Sequence, residues 1–439
     1  MNPKRLYEIF NIQGGYMRGI FSARVLVLML VSGVANPVLS QEVLIGGTVK
    51  SLLDFAKGNN PEYASMQFEA DAAGERITPA GALPDPKLRM ELQDITKMGT
   101  QSLTLNPSRV GSTKYTLMQE LPWYGKRDLK REIAKLEAEG AQGRARGSWS
   151  EIASRIKTAH AQLYILHRNE QLTREILDLM ARLEKVAQQR YAGGLAIQQD
   201  VIRAQVEQTG MRNDLIMLEN DGNMLRARLN ALLARPINAP LAAPEVLRPI
   251  PTPAKLDYAT LEDRVRGHNP QLFTEEARIK SAEKNRELTY KNRYPDFALA
   301  ISPIQTQSSI KQWEAMLEFN IPLQQSSRRA MEHESELMLS AARSRKQAAS
   351  NQILGELAEN LAGIEAARRI EMRTINSLLP QAELTFTSAL ASYENGKVDF
   401  STLLEAQQQI RKARQNQIRA QAEAQMRLAE IEKLLGEDL

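Results

Sequence analysis

Trp313-Glu-Ala-Met-Leu-Glu-Phe-Asn-Ile321 alternates between apolar and polar residues. Trp313, Ala315, Leu317, Phe319 and Ile321 fall on one side, and Glu314, Glu318 and Asn320 on the other. Successive strand residues point to opposite faces, so a period of two predicts a strand with one apolar and one polar face. Lys87-Leu-Arg-Met-Glu-Leu-Gln93 follows the same rule, with Leu88, Met90 and Leu92 opposite Arg89, Glu91 and Gln93. Weaker versions cover residues 114–121 and 296–304. Each run approaches the length of about 9–11 residues that a tilted strand needs to cross a bilayer. Polar linkers at 96–112 and 305–311 would join the runs into two hairpins, about 87–121 and about 296–321.

The hairpins belong to a longer duplication. Asn60-Pro61 returns as Asn269-Pro270, and Leu83-Pro84-Asp85 as Tyr294-Pro295-Asp296. Leu121-Pro122-Trp123 returns as Ile321-Pro322-Leu323, Tyr191 and Gly194 as Tyr393 and Gly396, and Ala204-Gln205 as Ala406-Gln407. A solenoid unit repeats every 20–50 residues or so, and this spacing is far longer. It predicts two copies of one large substructure, at residues 41–240 and 241–439, separated by a Pro-rich connector at 236–253.

Behind each hairpin the texture changes. Residues 126–190 contain no Pro, and apolar residues recur at three- and four-residue steps through Leu129, Ile133, Leu136, Ile152, Ile156, Leu163 and Leu166. That is the period of a helix face. Gly193-Gly194 interrupts, and a second helical run covers 198–233. The second repeat predicts the same plan, with a helix over 328–393, a break at Asn395-Gly396 and a helix over 402–435. The helical parts thus span about 126–235 and about 328–435, and a shorter helix opens each repeat near 48–78 and 257–292. A helix of that length, on the order of 100 Å at 1.5 Å per residue, must pack sideways on other long helices.

Composition limits the function. Aromatics make up 5% of the chain and Cys is absent, which excludes thiol chemistry, Cys-based zinc sites and a lipoprotein anchor. The net charge of +5 is small and its signs are interleaved, the pattern of solvated helix faces and not of a nucleic-acid surface. His160 and His167 lie seven apart, two helical turns, and cannot share an ion; His268 and His333 are isolated. No metal site, cofactor site or catalytic motif emerges, so no enzyme is predicted. Arg18 and Arg24 precede the short apolar run 25–31, and a small-residue cleavage site follows at Val38-Leu39-Ser40. Residues 1–40 therefore read as an export signal, with Met17 an alternative start.

Lipid offers no partner to an unpaired backbone, so strands cross it only in closed barrels, and the smallest use about eight. Two hairpins cannot close a barrel. Several chains must each supply a sector.

In all this the chain resembles the TolC-type outer-membrane efflux factors. The resemblance covers nearly the whole exported part. Its most specific pieces are Arg190-Tyr-Ala-Gly-Gly-Leu-Ala196 with Asp200, and Tyr393-Glu-Asn-Gly396 followed by Leu403-Leu-Glu-Ala-Gln407. Gln119-Glu-Leu-Pro-Trp-Tyr-Gly-Lys-Arg127 is most similar to the heavy-metal branch, the CzcC/CusC-like members. The resemblance implies an α+β membrane protein: a homotrimer with a twelve-stranded β-barrel in the outer membrane and a long periplasmic α-barrel of coiled-coil hairpins. It implies a passive exit duct that partners a periplasmic adaptor and an inner-membrane pump of the RND type, most simply for heavy-metal cations. A duct for drugs or secreted proteins is the alternative within transport. A periplasmic coiled-coil adaptor is the alternative of another class.

Family roles fall on particular positions. Adaptor-docking tips correspond to Gly193, Gly194, Leu195 and Ala196, and to Asn395, Gly396, Lys397 and Val398. Asp200 and Tyr393 match one contact that holds the family's closed state, but Val398 stands where the best-known pattern carries a basic residue. Glu405 matches one position of the family's acidic pore ring, whereas Thr402 replaces the other. Each has a plainer reading: Asp200 as a first-turn anion, Glu405 as a solvated charge, the glycines as helix ends. Trp313 and Phe319 read as lipid-facing or membrane-interface aromatics, and Trp123 and Tyr124 as part of the periplasmic interface belt.

Overall fold

The computed structural model describes residues 45–100 and 102–439. The export signal and the choice between Met1 and Met17 lie outside the described residues.

Four strands form one antiparallel sheet in chain order: β1 (Lys87–Gln93), β2 (Ser112–Leu121), β3 (Phe297–Thr306) and β4 (Ser309–Phe319). The register places Leu88 opposite Leu117, Leu117 opposite Ile301, and Ile301 opposite Ala315. One face therefore gathers Leu88, Met90, Leu117, Leu299, Ile301, Trp313, Leu317 and Phe319, all exposed. Lipid covers such a face in a membrane barrel. The opposite face holds Ala298, Ala300 and Ser302, which are buried, with the Lys114–Glu314 ion pair at 2.6 Å and a Lys87–Glu120 ion pair. The second hairpin is tighter than its composition suggests. In place of a linker over 305–311, β3 and β4 continue to Thr306 and Ser309, with Gln307 in the left-handed region (φ 60°) and a register shift at Ile304/Gln305.

The helices differ from expectation in two places. Each opening helix is split. The first becomes α1 (Val49–Asn59), α2 (Pro61–Glu75) and α3 (Ile77–Ala80); the second becomes α6 (Tyr258–His268) and α7 (Pro270–Lys291). Proline lacks the N–H that continues a helix and is well suited to a helix start, so Asn60-Pro61 and Asn269-Pro270 each end one helix and begin the next. Each Asn caps the new helix with its side-chain oxygen, and its Nδ2 reaches the end of a long helix: Asn60 to Leu232 O and Asn269 to Leu434 O, both 2.8 Å.

The long helices of the first repeat are α4 (Lys126–Ala192, 67 residues) and α5 (Gln198–Leu232). The expected single helix over 328–393 is instead α8 (Gln325–Arg373), a π-helical turn at Thr374–Leu378, and α9 (Leu379–Glu394), followed by α10 (Phe400–Leu435). Pro380 explains the break, since its ring clashes with the turn before it and a wider turn relieves that clash. The α4 helix packs along α5, α7 and α10. Its alanines and glycines (Ala138, Gly140, Ala141, Gly143, Ala145) are buried, and a side chain on Gly143 would collide with Thr274 Oγ1. No helix among the described residues is long and apolar enough to cross a membrane.

Near the C-terminal end of α10, beside the middle of α4, Glu432 is buried with cations around it. It accepts from Lys157 Nζ at 2.8 Å, from both terminal nitrogens of Arg248 at 2.8 and 2.6 Å, and from the Leu439 N–H at 3.1 Å. Arg248 lies in the connector between repeats, so this carboxylate fixes the connector to α4 and α10.

Candidate functional site at the helix tips

The α4–α5 and α9–α10 turns lie at the end of the helices remote from the sheet. Both are built alike. Gly194 (φ 69°) and Gly396 (φ 71°) adopt the left-handed conformation that glycine enters at little cost, while Gly193 does not need it. Leu195 N–H donates to Arg190 O and Lys397 N–H to Ser392 O, both at 2.8 Å. All eight tip residues except Ala196 and Val398 are exposed, and those two are half-buried.

Directly behind the tips the repeats are joined. Tyr393 is only 2% exposed and its ring meets Phe400 edge-on at 5.4 Å. Phe400, Leu403, Ala406, Ala204, Met180 and Ala187 surround it in one core cluster. The Tyr393 hydroxyl points to Asp200 Oδ2 at 3.5 Å, the outer limit of a hydrogen bond. Asp200 lies in the first turn of α5, as the plainer reading requires, and is also buried. Its first-turn position and its contact with Tyr393 coexist. Burial raises the Asp200 carboxyl above its ordinary range, partly countered by Arg203, and burial with the nearby Asp200 charge raises the Tyr393 phenol. A barely met hydrogen bond does not compensate a desolvated carboxylate.

One participant carries no sequence mark beyond its place in the quoted motif. The Arg190 guanidinium lies 4.9 Å from the Tyr393 ring centre and donates to Leu195 O at 3.1 Å and to Glu394 O. It holds one tip carbonyl from each repeat. Nearby, Glu184 accepts from Gln205 at 2.8 Å, Gln208 at 2.6 Å and Gln188 at 2.9 Å, and those hydrogen bonds lower its carboxyl.

Thr402 and Glu405 lie on an exposed face of α10, one turn from each other and outside this cluster. At the other end, Trp123 stacks on Tyr294 at 5.2 Å and its N–H donates to Asp296 at 2.7 Å. Tyr124 is exposed, with the Lys291 ammonium 5.9 Å from its ring centre. No cluster of metal-ligating side chains exists among the described residues.

Two sets of long helices ending in glycine tips, and a four-stranded sheet with an apolar outer face, are combined in known proteins. The profile of the outer membrane efflux proteins matches residues 35–235 and 261–437. The chain belongs to the outer membrane efflux protein family. As a family member it is an outer-membrane efflux channel, and the periplasmic adaptor reading falls away. Among curated proteins it is 22% identical to the cobalt-zinc-cadmium resistance protein CzcC of Cupriavidus metallidurans, over 91% of this chain and 92% of that one. Among solved structures its fold matches CusC, which forms a transmembrane channel, with a TM-score of 0.77, 16% identity and coverage of 90% and 93%. It matches VceC of Vibrio cholerae with a TM-score of 0.76, 16% identity and coverage of 89% and 96%.

Proposed function

We propose that three copies form a passive duct from the periplasm through the outer membrane. A periplasmic adaptor and an inner-membrane pump of the RND class would drive heavy-metal cations through it. The observation that carries this reading is the sheet. It has four strands and two free edges, β1 and β4, beside an apolar face. An open sheet leaves unpaired N–H and C=O groups in lipid, so neighbours must complete it. Three copies supply twelve strands, within the known range of membrane barrels.

In this reading the exposed tip residues Gly193, Gly194, Leu195 and Ala196, with Asn395, Gly396, Lys397 and Val398, meet the adaptor. The Asp200–Tyr393 contact and the Arg190 bridge hold the tips closed. Glu405 would place one carboxylate per chain at the pore entrance, and rings of carboxylates favour cations. Trp313 and Phe319 face lipid and Trp123 and Tyr124 sit at the periplasmic interface. The 41–240 and 241–439 repeats then form six near-equivalent sectors, after an export signal at 1–40. The duct itself performs no chemistry.

The likeness to CzcC supports metal ions as cargo. Accumulation of cobalt, zinc and cadmium should rise in cells lacking this gene and fall on complementation. If those ions are unaffected while an organic dye is retained, the cargo is organic and the drug-duct reading replaces this one. In planar bilayers Glu405→Ala should lower the cation-to-anion permeability ratio; an unchanged ratio makes Glu405 an ordinary surface charge.

A further inference from the structure

The internal duplication carries a prediction about the missing strand partner, resting on the trimeric reading above. Asp85 and Asp296 are 211 positions apart, and Leu121 and Ile321 are 200 apart. Carrying β1 and β2 forward by those offsets turns Lys87↔Met118 into Ala298↔Glu318, and Leu88↔Leu117 into Leu299↔Leu317. Both are pairs of the β3–β4 ladder. The offsets are therefore those of the structure as well as of the sequence.

One interface within the chain has no counterpart inside it: β2 against β3. Its image under the same offsets is β4 against the β1 of a second copy. We propose that β4 pairs antiparallel with the partner subunit's β1 in that register. Met118↔Ala300 then becomes Glu318 opposite the partner's Arg89, and Leu117↔Ile301 becomes Leu317 opposite the partner's Met90. Gln119↔Leu299 becomes Phe319 opposite the partner's Leu88.

Two independent features agree with this register. Faces match: Leu317 and Phe319 lie on the lipid side of their strand, as Met90 and Leu88 do on theirs. A slip of one residue would turn every side chain to the wrong face. Charges match as well, because Glu318 meets a guanidinium on the polar face. A slip of two residues one way sets Glu318 against the partner's Glu91, and the other way sets Glu314 against it. Like charges directly opposite destabilise a strand pair.

The same image assigns a role to Asp85. Within the chain, Asp296 ends the β2–β3 interface by accepting the Trp123 N–H at 2.7 Å. Asp85 is its counterpart before β1, and Leu323 is the counterpart of Trp123 after β4. Asp85 is exposed and Leu323 is 79% exposed. Asp85 accepts the N–H of Leu323 of the partner subunit and closes the strand ends at the subunit boundary. The match is incomplete in one respect. Lys126, which reinforces Asp296 at 2.9 Å, maps onto Ser326, so the Asp85 clamp lacks that cation.

The chain has no Cys, so paired cysteines report the register directly. Opposed strand residues have Cα atoms about 4.5–5.5 Å apart, within disulfide reach, whereas a slip of two moves them beyond it. In the full-length protein in native membranes, oxidised with copper phenanthroline, Arg89→Cys with Glu318→Cys should give covalent trimers. Lys87→Cys or Glu91→Cys with Glu318→Cys should give about tenfold less. Stronger crosslinking by either control pair overturns the register but leaves the trimer standing. Absence of crosslinking in a complex that native mass spectrometry finds to be three chains also overturns only the register. Absence of crosslinking in a monomeric protein overturns both. For the clamp, Asp85→Ala should lower the temperature at which trimers dissociate in detergent, and Asp85→Asn, which still accepts a hydrogen bond, should restore it. An unchanged temperature in Asp85→Ala overturns the clamp.

Discussion

Tyr191 and Tyr393 occupy the same place in the two repeats, yet Tyr191 is 48% exposed and Tyr393 is 2% exposed. The contrast extends along both tips. Asp200 corresponds to Thr402, and Arg203 to Glu405. The helix before Tyr191 runs 67 residues unbroken, whereas the one before Tyr393 is broken by a π turn ahead of Pro380. At the opposite end the repeats agree. Asn60 and Asn269 cap corresponding helices and donate to corresponding long-helix carbonyls, Leu232 O and Leu434 O, both at 2.8 Å. The repeats share the joints that position the hairpins and the backbone of the tip turns, and differ in the side chains packed behind those turns. In the proposed trimer six similar sectors would thus carry three copies of one kind of tip and three of another, an arrangement suited to a gate that dilates by moving one set against the other.

The largest expected effect concerns a buried position near the joints where one repeat has an amide and the other a carboxylate. Asn230 and Glu432 correspond; the amide holds Ile237 O and Ala239 O at 3.0 and 2.8 Å, whereas the carboxylate holds Lys157 and Arg248. Removing one partner of a buried ion pair costs about 3–5 kcal/mol, and removing a neutral one about 1–3 kcal/mol. Glu432→Ala should therefore lower the thermal unfolding midpoint by circular dichroism more than Asn230→Ala does. Equal losses would mean that the connector is held as neutrally in the second repeat as in the first.

At the tips, Tyr393→Ala should cost about 3 kcal/mol, because a large buried ring leaves a cavity, while Tyr191→Ala should stay within about 0.5 kcal/mol. Tyr393→Phe, which keeps the ring but removes its contact with Asp200, should fall between wild type and Tyr393→Ala. Limited proteolysis at the tips would read all three, and equal sensitivity of the two alanine variants would erase the contrast.

Smaller again is Pro380→Ala. An alanine restores a helical N–H, so amide exchange over 374–378 should slow by less than the global stability while α4 is unchanged. Exchange that is already equally slow in both long helices would remove the hinge from the comparison.

The smallest effect is a pH dependence that Thr402 cannot share. The Asp200 carboxyl titrates above its ordinary range because it is buried. A group whose value is raised on folding stabilises the folded form when protonated. The tip contact should therefore strengthen as pH falls through that raised value and weaken as pH rises above it. Asp200→Asn should flatten the change in tip proteolysis with pH; a slope equal to wild type would assign it to another group.

The legible and illegible parts of this molecule differ physically. Strands and long helices announce themselves by period, because one face of each must be apolar, and the family followed from motifs at the tips. The split at Asn60-Pro61 was visible as a repeat marker but not as a helix break, since apolar spacing continues across it. Pro380 likewise sits in a run whose helical spacing hides the π turn. Arg190 reaches Glu394 O from 204 positions away, and no local pattern encodes such a contact. The burial of Tyr393 and not Tyr191 depends on Phe400, where the first repeat has Gln198. It needed three-dimensional context because the two tip motifs read almost alike.

The most direct test of the account is the mass of the complex extracted from outer membranes in mild detergent and measured by native mass spectrometry. The account predicts a species of three chains, found in the outer-membrane fraction. A single chain, recovered from the soluble periplasm, would contradict it.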